Sequence, residues 1–174
     1  MVKAVFQKTL FIVGLVLMQT SFLPVLGLPF SRFDFVLACF VFWGFLLNFR
    51  EAIVFSVIVG IILEIYSAFA FGAILLGLLV ALSVCNWIFL SALTNRSLYT
   101  IIILMFLATL VYHFVFWFYA VGVAFFKDRD LLAGLFDRSL IADLIYAEVM
   151  NVAFVAILCL ILTMTNKIQR TRFS

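Results

Sequence analysis

Long apolar runs occupy almost the whole chain, and the few polar residues between them leave little choice of fold. The runs cover about residues 4–23, 35–49, 52–68, 72–93, 98–126 and 140–163. A helix that crosses a bilayer needs about 20 apolar residues. Because 68% of the 174 residues are hydrophobic and only 11% are charged, such a chain cannot cover itself with a water-soluble surface. The sequence predicts an all-α integral membrane protein of about six transmembrane helices, with residues 1–174 forming a single polytopic membrane domain in contact with membrane lipid.

The distribution of basic residues predicts how these helices are oriented, because Lys and Arg are enriched in cytoplasmic segments. Seven lie on the side of the termini and four on the other side, so both termini are expected in the cytoplasm. The first group is Lys3, Lys8, Arg50, Arg96, Lys167, Arg170 and Arg172, and the second is Arg32, Lys127, Arg129 and Arg138. No small-x-small cleavage site follows the first run, which indicates an uncleaved anchor. No basic patch with interleaved aromatics lies outside the tails, so no nucleic-acid partner is expected.

The third and fourth runs are joined by only a few residues and are therefore predicted to form a tight antiparallel hairpin. Small side chains recur in both runs at four-residue spacing, and such ridges let helix backbones approach closely in membranes. We expect the hairpin to pack along the two ridges. The predicted packing residues are Ser56, Gly60 and Ala68 in the third run and Ala73, Gly77 and Ala81 in the fourth.

Glu64 lies inside the third apolar run, His113 inside the fifth, and Asp143 and Glu148 inside the sixth. An ionisable side chain in hydrocarbon costs about 3 kcal/mol on insertion scales, so it normally faces protein and has a function. The helical rise puts Glu64 and Glu148 at similar depths. One interpretation is a buried polar cluster of Glu64, His113 and Glu148. The alternatives are that each binds its own backbone or hydroxyl partner and fixes the rotation of its helix, or that they form a proton path.

Patterns typical of catalytic or metal sites do not occur in the sequence. H-E-x-x-H, G-x-S-x-G, G-x-x-x-x-G-K-[ST] and G-x-G-x-x-G are absent, and a single His excludes any site that needs two imidazoles. The three Cys residues lie far apart within apolar runs, where they are expected to be small packing residues. We therefore expect a protein that is not an enzyme and that binds neither a metal nor a cofactor.

The loop before the last run shows the spacing of a short amphipathic helix between Asp130 and Leu140. Such a helix would lie at the outer membrane interface with its apolar side down. It is a candidate docking site for a partner, and the alternative is a bare connector between two spans. The candidate contact residues are Leu131, Leu132, Leu135, Phe136, Asp137 and Arg138.

Several short motifs resemble those of MreD, the rod-shape-determining membrane protein family of bacteria. The first run ends in Met-Gln-Thr-Ser-Phe-Leu-Pro, an acid precedes the second run, and the hairpin contains Gly-x-x-x-Glu-x-x-Ser-x-x-x-x-Gly. The motif residues are Gln19, Asp34, Glu64, Ser67 and Gly72. The chain departs from the usual pattern at three positions: Glu64 replaces Asp, Ala68 replaces Gly and Phe33 replaces Pro.

The resemblance implies a non-enzymatic component of the cell-elongation machinery in the bacterial cytoplasmic (inner) membrane. Its expected partner is a bitopic scaffold protein similar to MreC and, through it, MreB filaments, the glycosyltransferase RodA and a penicillin-binding transpeptidase. MreD is similar in helix count to the substrate-binding membrane subunit of energy-coupling-factor vitamin transporters, which is the alternative function. Such subunits carry Ala-x-x-x-Ala in the first span, whereas here Ala4 is followed at that spacing by Lys8. A channel or proton-coupled transporter is disfavoured because no internal repeat is present.

Overall fold

The computed structural model describes residues 2–28, 30–67, 71–92, 98–127 and 138–172, and these ranges are almost entirely helical with no strand among them. The α-helices are α1 (Val2–Leu17), α2 (Leu23–Val25), α3 (Phe35–Trp43), α4 (Phe49–Tyr66), α5 (Ala73–Ser91), α6 (Leu98–Lys127) and α7 (Arg138–Arg172). Three segments are long and apolar enough to cross a membrane: Ala73–Ser91, Tyr99–Val123 and Ala142–Met164. The all-α class is thus confirmed, and the number of six spans stays a prediction.

The first helical segment continues past residue 23, where the first apolar run was predicted to end. A π-helical turn, Met18–Phe22, connects α1 to α2, and Pro24 lies in the first turn of α2. Leu23 donates its backbone N–H to the Met18 carbonyl across this wide turn. Proline lacks the N–H that an α-helix requires, and a π-bulge is one of the ways in which a helix accommodates such an interruption.

Helices α3 and α4 are separated by a π-helical turn and by one residue in an extended conformation. A π-helical turn, Gly44–Asn48, extends α3, and Asn48 then adopts φ −160° and ψ 121°. The Asn48 side chain accepts a hydrogen bond from the Arg50 backbone N–H at 3.0 Å. This is N-cap geometry, so α4 begins at Phe49 rather than at the predicted Ala52.

Helix α3 lies at the centre of the bundle, although it is short. It contacts α1, α4, α5, α6 and α7. Leu37, Ala38, Phe40 and Val41 are each at most 1% exposed. Because α3 is apolar along its whole length and contacts five other helices, it is the helix around which the others pack.

Helices α4 and α5 form the hairpin and approach closely at Gly60. A Cβ atom added at Gly60 would lie 2.9 Å from Leu75 Cδ1 and 3.4 Å from Leu75 Cα. Ser56 is fully buried on the same helix. Ala68 lies outside the described residues.

The ridge of small residues on α5 does not pack as predicted, because part of it faces α6. A Cβ atom at Gly77 would lie 2.8 Å from the Tyr112 ring, and the Cys85 thiol donates to the Leu104 carbonyl at 3.4 Å. Ala73 and Ala81 are also buried. A four-residue repeat drifts by about 40° per step around a helix, so the ridge does not stay on the side of α5 that faces α4.

Candidate functional site

Glu64 binds the N-terminus of the next helix. Its Oε2 accepts from the Gly72 N–H at 2.5 Å, and its Oε1 accepts from the N–H groups of Ile74 at 2.9 Å and Leu75 at 3.1 Å. The first N–H groups of a helix lack intrahelical partners, and the N-cap position of α5 is Gly72, which has no side chain to serve them. Glu64, which is 6% exposed, therefore caps α5 from the opposite arm of the hairpin.

The turn of the hairpin has a second contact, with α6. The Tyr119 hydroxyl donates to the Phe71 carbonyl at 2.6 Å. Gly72 adopts φ +107°, a left-handed conformation that glycine enters without a steric cost. These contacts explain structurally why a glycine stands at the motif position directly before α5.

Gln19 joins the end of the first helical segment to the start of α3. Its Nε2 donates to the Phe33 carbonyl at 3.1 Å, and its Oε1 accepts from the Val36 N–H at 3.3 Å. Asp34 occupies the N-cap position of α3, but its side chain makes no capping hydrogen bond. The amide of Gln19 thus satisfies backbone groups that a local cap would otherwise serve.

Asn151 connects α3, α6 and α7 through one amide group. Its Oδ1 accepts from the Asp34 N–H and its Nδ2 donates to the Thr109 hydroxyl, both at 3.1 Å. Thr109 in turn donates to the Met105 carbonyl at 3.0 Å. Asn151 is fully buried, so both ends of its amide need the partners that they find here.

His113 lies between its own helix and Asp34. Its Nδ1 is 3.0 Å from the Thr109 carbonyl oxygen, and its Nε2 is 3.5 Å from Asp34 Oδ2. A carbonyl oxygen can only accept, so Nδ1 carries the hydrogen and Nε2 is the nitrogen that faces the carboxyl group. The ring therefore has one fixed backbone partner and one acidic neighbour.

The three ionisable residues predicted to cluster are not joined to one another by a hydrogen bond or ion pair that the structure describes. Glu64 binds the backbone of α5 instead, because the open N–H groups at that helix end lie within its reach. His113 pairs with Asp34, which the predicted cluster did not include. Both carboxyl oxygens of Glu148 are buried without a hydrogen bond.

A cavity of about 150 Å³ lies beside these residues, where α4 ends and α3 and α5 begin. Three of the motif residues, Gln19, Asp34 and Ser67, contribute to its wall, and Glu64 is adjacent in sequence to a fourth lining residue, Leu63. The remaining lining residues are Thr20, Val36, Leu37, Tyr66, Ile74, Leu78 and Tyr112. Polar groups from four separate parts of the chain therefore converge on one small space.

The segment that was predicted to contact a partner cannot be compared with the structure. Leu131, Leu132, Leu135, Phe136 and Asp137 lie outside the described residues, and for Arg138 only the helical backbone is described. Asp143, which follows this segment in sequence, forms an ion pair with Arg32 at 3.0 Å. This pair links the connection before α3 to the first part of α7.

The side chains of this site interact through hydrogen bonds and through charge. Among the described residues, no group of three or more His, Cys, Asp or Glu side chains is placed to hold a metal ion. No protein-family model, no curated protein and no solved structure matches the chain. The function must therefore be inferred from the arrangement of these side chains and from the sequence motifs.

Proposed function

We propose that this chain is a non-enzymatic, multi-pass component of the bacterial inner membrane, related to MreD, that acts in cell elongation by binding a bitopic scaffold protein similar to MreC. Six spans with both termini in the cytoplasm complete the proposal, since seven basic residues lie on one side and four on the other. MreB filaments, RodA and a penicillin-binding transpeptidase are its indirect partners in this proposal.

The observation that carries the proposal is the convergence of the motif residues. The motif positions come from three separate parts of the chain, namely 19, 34 and 64–72. Gln19 and Glu64 each bind the start of a helix, and Gln19, Asp34 and Ser67 line one cavity. Short motifs that match by chance would not be expected to meet in space. Their meeting supports a common structural core with the family whose motifs they resemble.

A groove on the first helical segment is a suitable surface for the single helix of a bitopic partner. Gly14 and Ser21 are exposed there, and a Cβ atom at Gly14 would meet nothing within 4 Å. Transmembrane helices associate through small residues that allow close approach. Leu17, Met18, Phe22 and Val25 form the rest of the groove.

Copurification from a membrane extract tests the proposal, using a bitopic protein encoded beside this chain as the tagged bait. We expect capture of the unmodified chain and loss of capture on Gly14→Leu, while Gly122→Leu, the same change at another open position, leaves capture intact. A double charge reversal at Asp137 and Arg138 tests the predicted outer segment in the same assay. Absence of capture of the unmodified chain would contradict the proposal.

The alternative function, a substrate-binding subunit of a vitamin transporter, is favoured by one observation, the cavity of about 150 Å³ with polar side chains in its wall. A binding subunit needs convergent polar groups in a concave site. Copurification of transporter ATPases instead of a bitopic protein would favour this alternative.

The proposed topology is tested separately by cysteine labelling of intact cells. Cysteines introduced at Lys3 and Thr171 are expected to be protected from an impermeant reagent, and one at Asp130 is expected to react. Labelling of Thr171→Cys from outside would exclude cytoplasmic termini.

A further inference from the structure

The helix ends form two groups, one at each end of the bundle. An ion pair between Arg32 and Asp143 joins the segment before α3 to the first part of α7, and Glu64 joins the end of α4 to the start of α5. Gln19 and the Tyr119 hydroxyl bring the ends of the first helical segment and of α6 to the same region. The starts of α1, α4 and α6 and the ends of α5 and α7 therefore lie at the opposite end of the bundle.

The two ends of the bundle carry opposite formal charges. The segments at the second end contain seven of the eleven basic residues of the chain and one of its eight acids, Glu51. The segments toward the first end contain the other four basic residues and the other seven acids. One end thus has a surplus of six positive charges, and we call it the basic end. Its basic residues are Lys3, Lys8, Arg50, Arg96, Lys167, Arg170 and Arg172.

Helix α7 carries Lys167, Arg170 and Arg172 beyond its apolar part. The apolar segment ends at Met164, but the helical backbone continues to Arg172. At a rise of 1.5 Å per residue, the three basic positions lie about 5, 9 and 12 Å past the end of the apolar segment. The headgroup layer on each side of a bilayer is about 5–8 Å thick, so the helix brings these residues to and just beyond the phosphate groups. The sequence has no acid between positions 165 and 174 to offset their charge.

Exposed aromatic side chains lie at the basic end as well. Trp87, in the last part of α5, is 69% exposed, and Tyr99, the second residue of α6, is 79% exposed. Trp and Tyr are enriched at the level of the lipid headgroups. Arg50, the second residue of α4, is exposed too and is followed by the exposed Glu51. The basic end therefore has the residues of a surface at headgroup depth, with positive charge on more than one helix.

We propose that the basic end binds the headgroups of anionic phospholipids, with Lys167, Arg170 and Arg172 of α7 as the principal contacts. Basic residues directly beside a membrane span are attracted to anionic lipids, and the attraction falls off within a Debye length. A zwitterionic headgroup balances its phosphate with its own ammonium and offers no net charge to these residues. The opposite end, where acids are in excess, is not expected to select anionic lipid. This inference does not depend on the proposed bitopic partner.

Quenching of Trp fluorescence by brominated lipids in nanodiscs tests the inference on the full chain. The exposed Trp87 reports on the basic end once Trp43 and Trp117 are replaced by Phe, and Trp117 alone reports on the other half of the bilayer. We expect brominated phosphatidylglycerol to bind beside Trp87 about threefold or more tightly than brominated phosphatidylcholine. Beside Trp117 we expect no preference for phosphatidylglycerol.

Neutralisation of the three basic residues of α7 by Gln is expected to reduce the preference at Trp87 to about one. The matched control removes the same number of charges from the other end and is expected to leave the preference unchanged. Its substitutions are Lys127→Gln, Arg129→Gln and Arg138→Gln. A salt titration needs no substitution in α7, and 1 M NaCl, which shortens the Debye length to about 3 Å, is expected to weaken the preference. Equal binding of the two lipids beside Trp87, or a preference that survives neutralisation of α7, would overturn the inference.

Discussion

Glu64 and Asp34 are both acids of the same motif at the same end of the bundle, yet their surroundings differ. Glu64 accepts three backbone hydrogen bonds and is 6% exposed. Asp34 has one oxygen 3.5 Å from His113 and without a hydrogen bond. An acid whose acceptor sites are filled by backbone groups is part of the framework, while an acid with an unfilled acceptor site contributes less to it. The two residues therefore have different roles in stabilising the fold.

The difference has a physical cause in the partner that each acid meets. The N-terminus of α5 presents open N–H groups and the positive end of a helix dipole, both of which stabilise a carboxylate. Asp34 meets an imidazole and stands at a helix start that Gln19 already serves. Glu64 is therefore part of the framework because it binds the first N–H groups of α5, which have no local side-chain cap.

Glu64→Gln is expected to produce the largest loss of stability among these tests. An amide has one acceptor oxygen where the carboxylate has two, so at least one N–H of Gly72, Ile74 or Leu75 faces an NH2 group. We expect a loss of about 3 kcal/mol in the free energy of unfolding, measured by SDS titration in mixed micelles. Glu51→Gln, an exposed position at the start of α4, is the control and is expected to change stability by less than about 0.5 kcal/mol.

Gly60→Leu breaks the hairpin by a different route, through packing rather than hydrogen bonding. Its side chain would collide with Leu75, whose Cα lies only 3.4 Å from the added Cβ position. We expect a loss of about 2 kcal/mol in the same titration, because overpacking forces the two helices apart. Gly122→Leu, where a Cβ meets nothing within 4 Å, controls for the change in composition. Equal stability of the two variants would refute the close approach.

Tyr119→Phe removes the second contact of the hairpin turn and separates its contribution from that of Glu64. The lost hydrogen bond to the Phe71 carbonyl lies in an exposed setting, so we expect a loss of about 1 kcal/mol in the unfolding free energy. Tyr99→Phe provides the control, since Tyr99 is 79% exposed. A loss as large as that of Glu64→Gln would mean that the turn is held chiefly by α6.

Glu148→Gln extends the comparison to a second acid without partners. Because both of its carboxyl oxygens are buried without a hydrogen bond, no native interaction is lost on substitution. We expect the free energy of unfolding to change by less than about 1 kcal/mol in the SDS titration. A clear loss of stability would place Glu148 with Glu64 in the framework.

The sequence predicts which residues stabilise the bundle better than it predicts the groups that those residues contact. Glu64 stands out as an acid in an apolar run, and Gly60 stands out as a small residue at a packing position. A backbone partner for Glu64 was one of the alternatives, but the N-terminus of α5 was not named as that partner. A signal existed, because α5 begins after Gly72 with no Ser, Thr, Asp or Asn to cap it. A helix without a local cap predicts a distant one.

Asn151 was not predicted as a site residue, because only ionisable residues within apolar runs were taken as candidates. A buried amide needs partners as much as a buried acid does, so an Asn in the middle of α7 carried similar information. Its partners Asp34 and Thr109 lie on other helices, and periodicity within one helix does not specify which helices meet. The direction of the small-residue ridge on α5 was mistaken for the same reason, as Gly77 faces Tyr112.

The most direct test of the difference between the two acids is to measure the unfolding free energy of Asp34→Asn beside that of Glu64→Gln under the same conditions. We expect Asp34→Asn to remain within about 1 kcal/mol of the unmodified chain, because the one close polar contact of its Oδ2 is the long approach to His113. Glu64→Gln is expected to lose about 3 kcal/mol. Equal losses in the two variants would contradict the conclusion that Glu64 stabilises the framework more than Asp34 does.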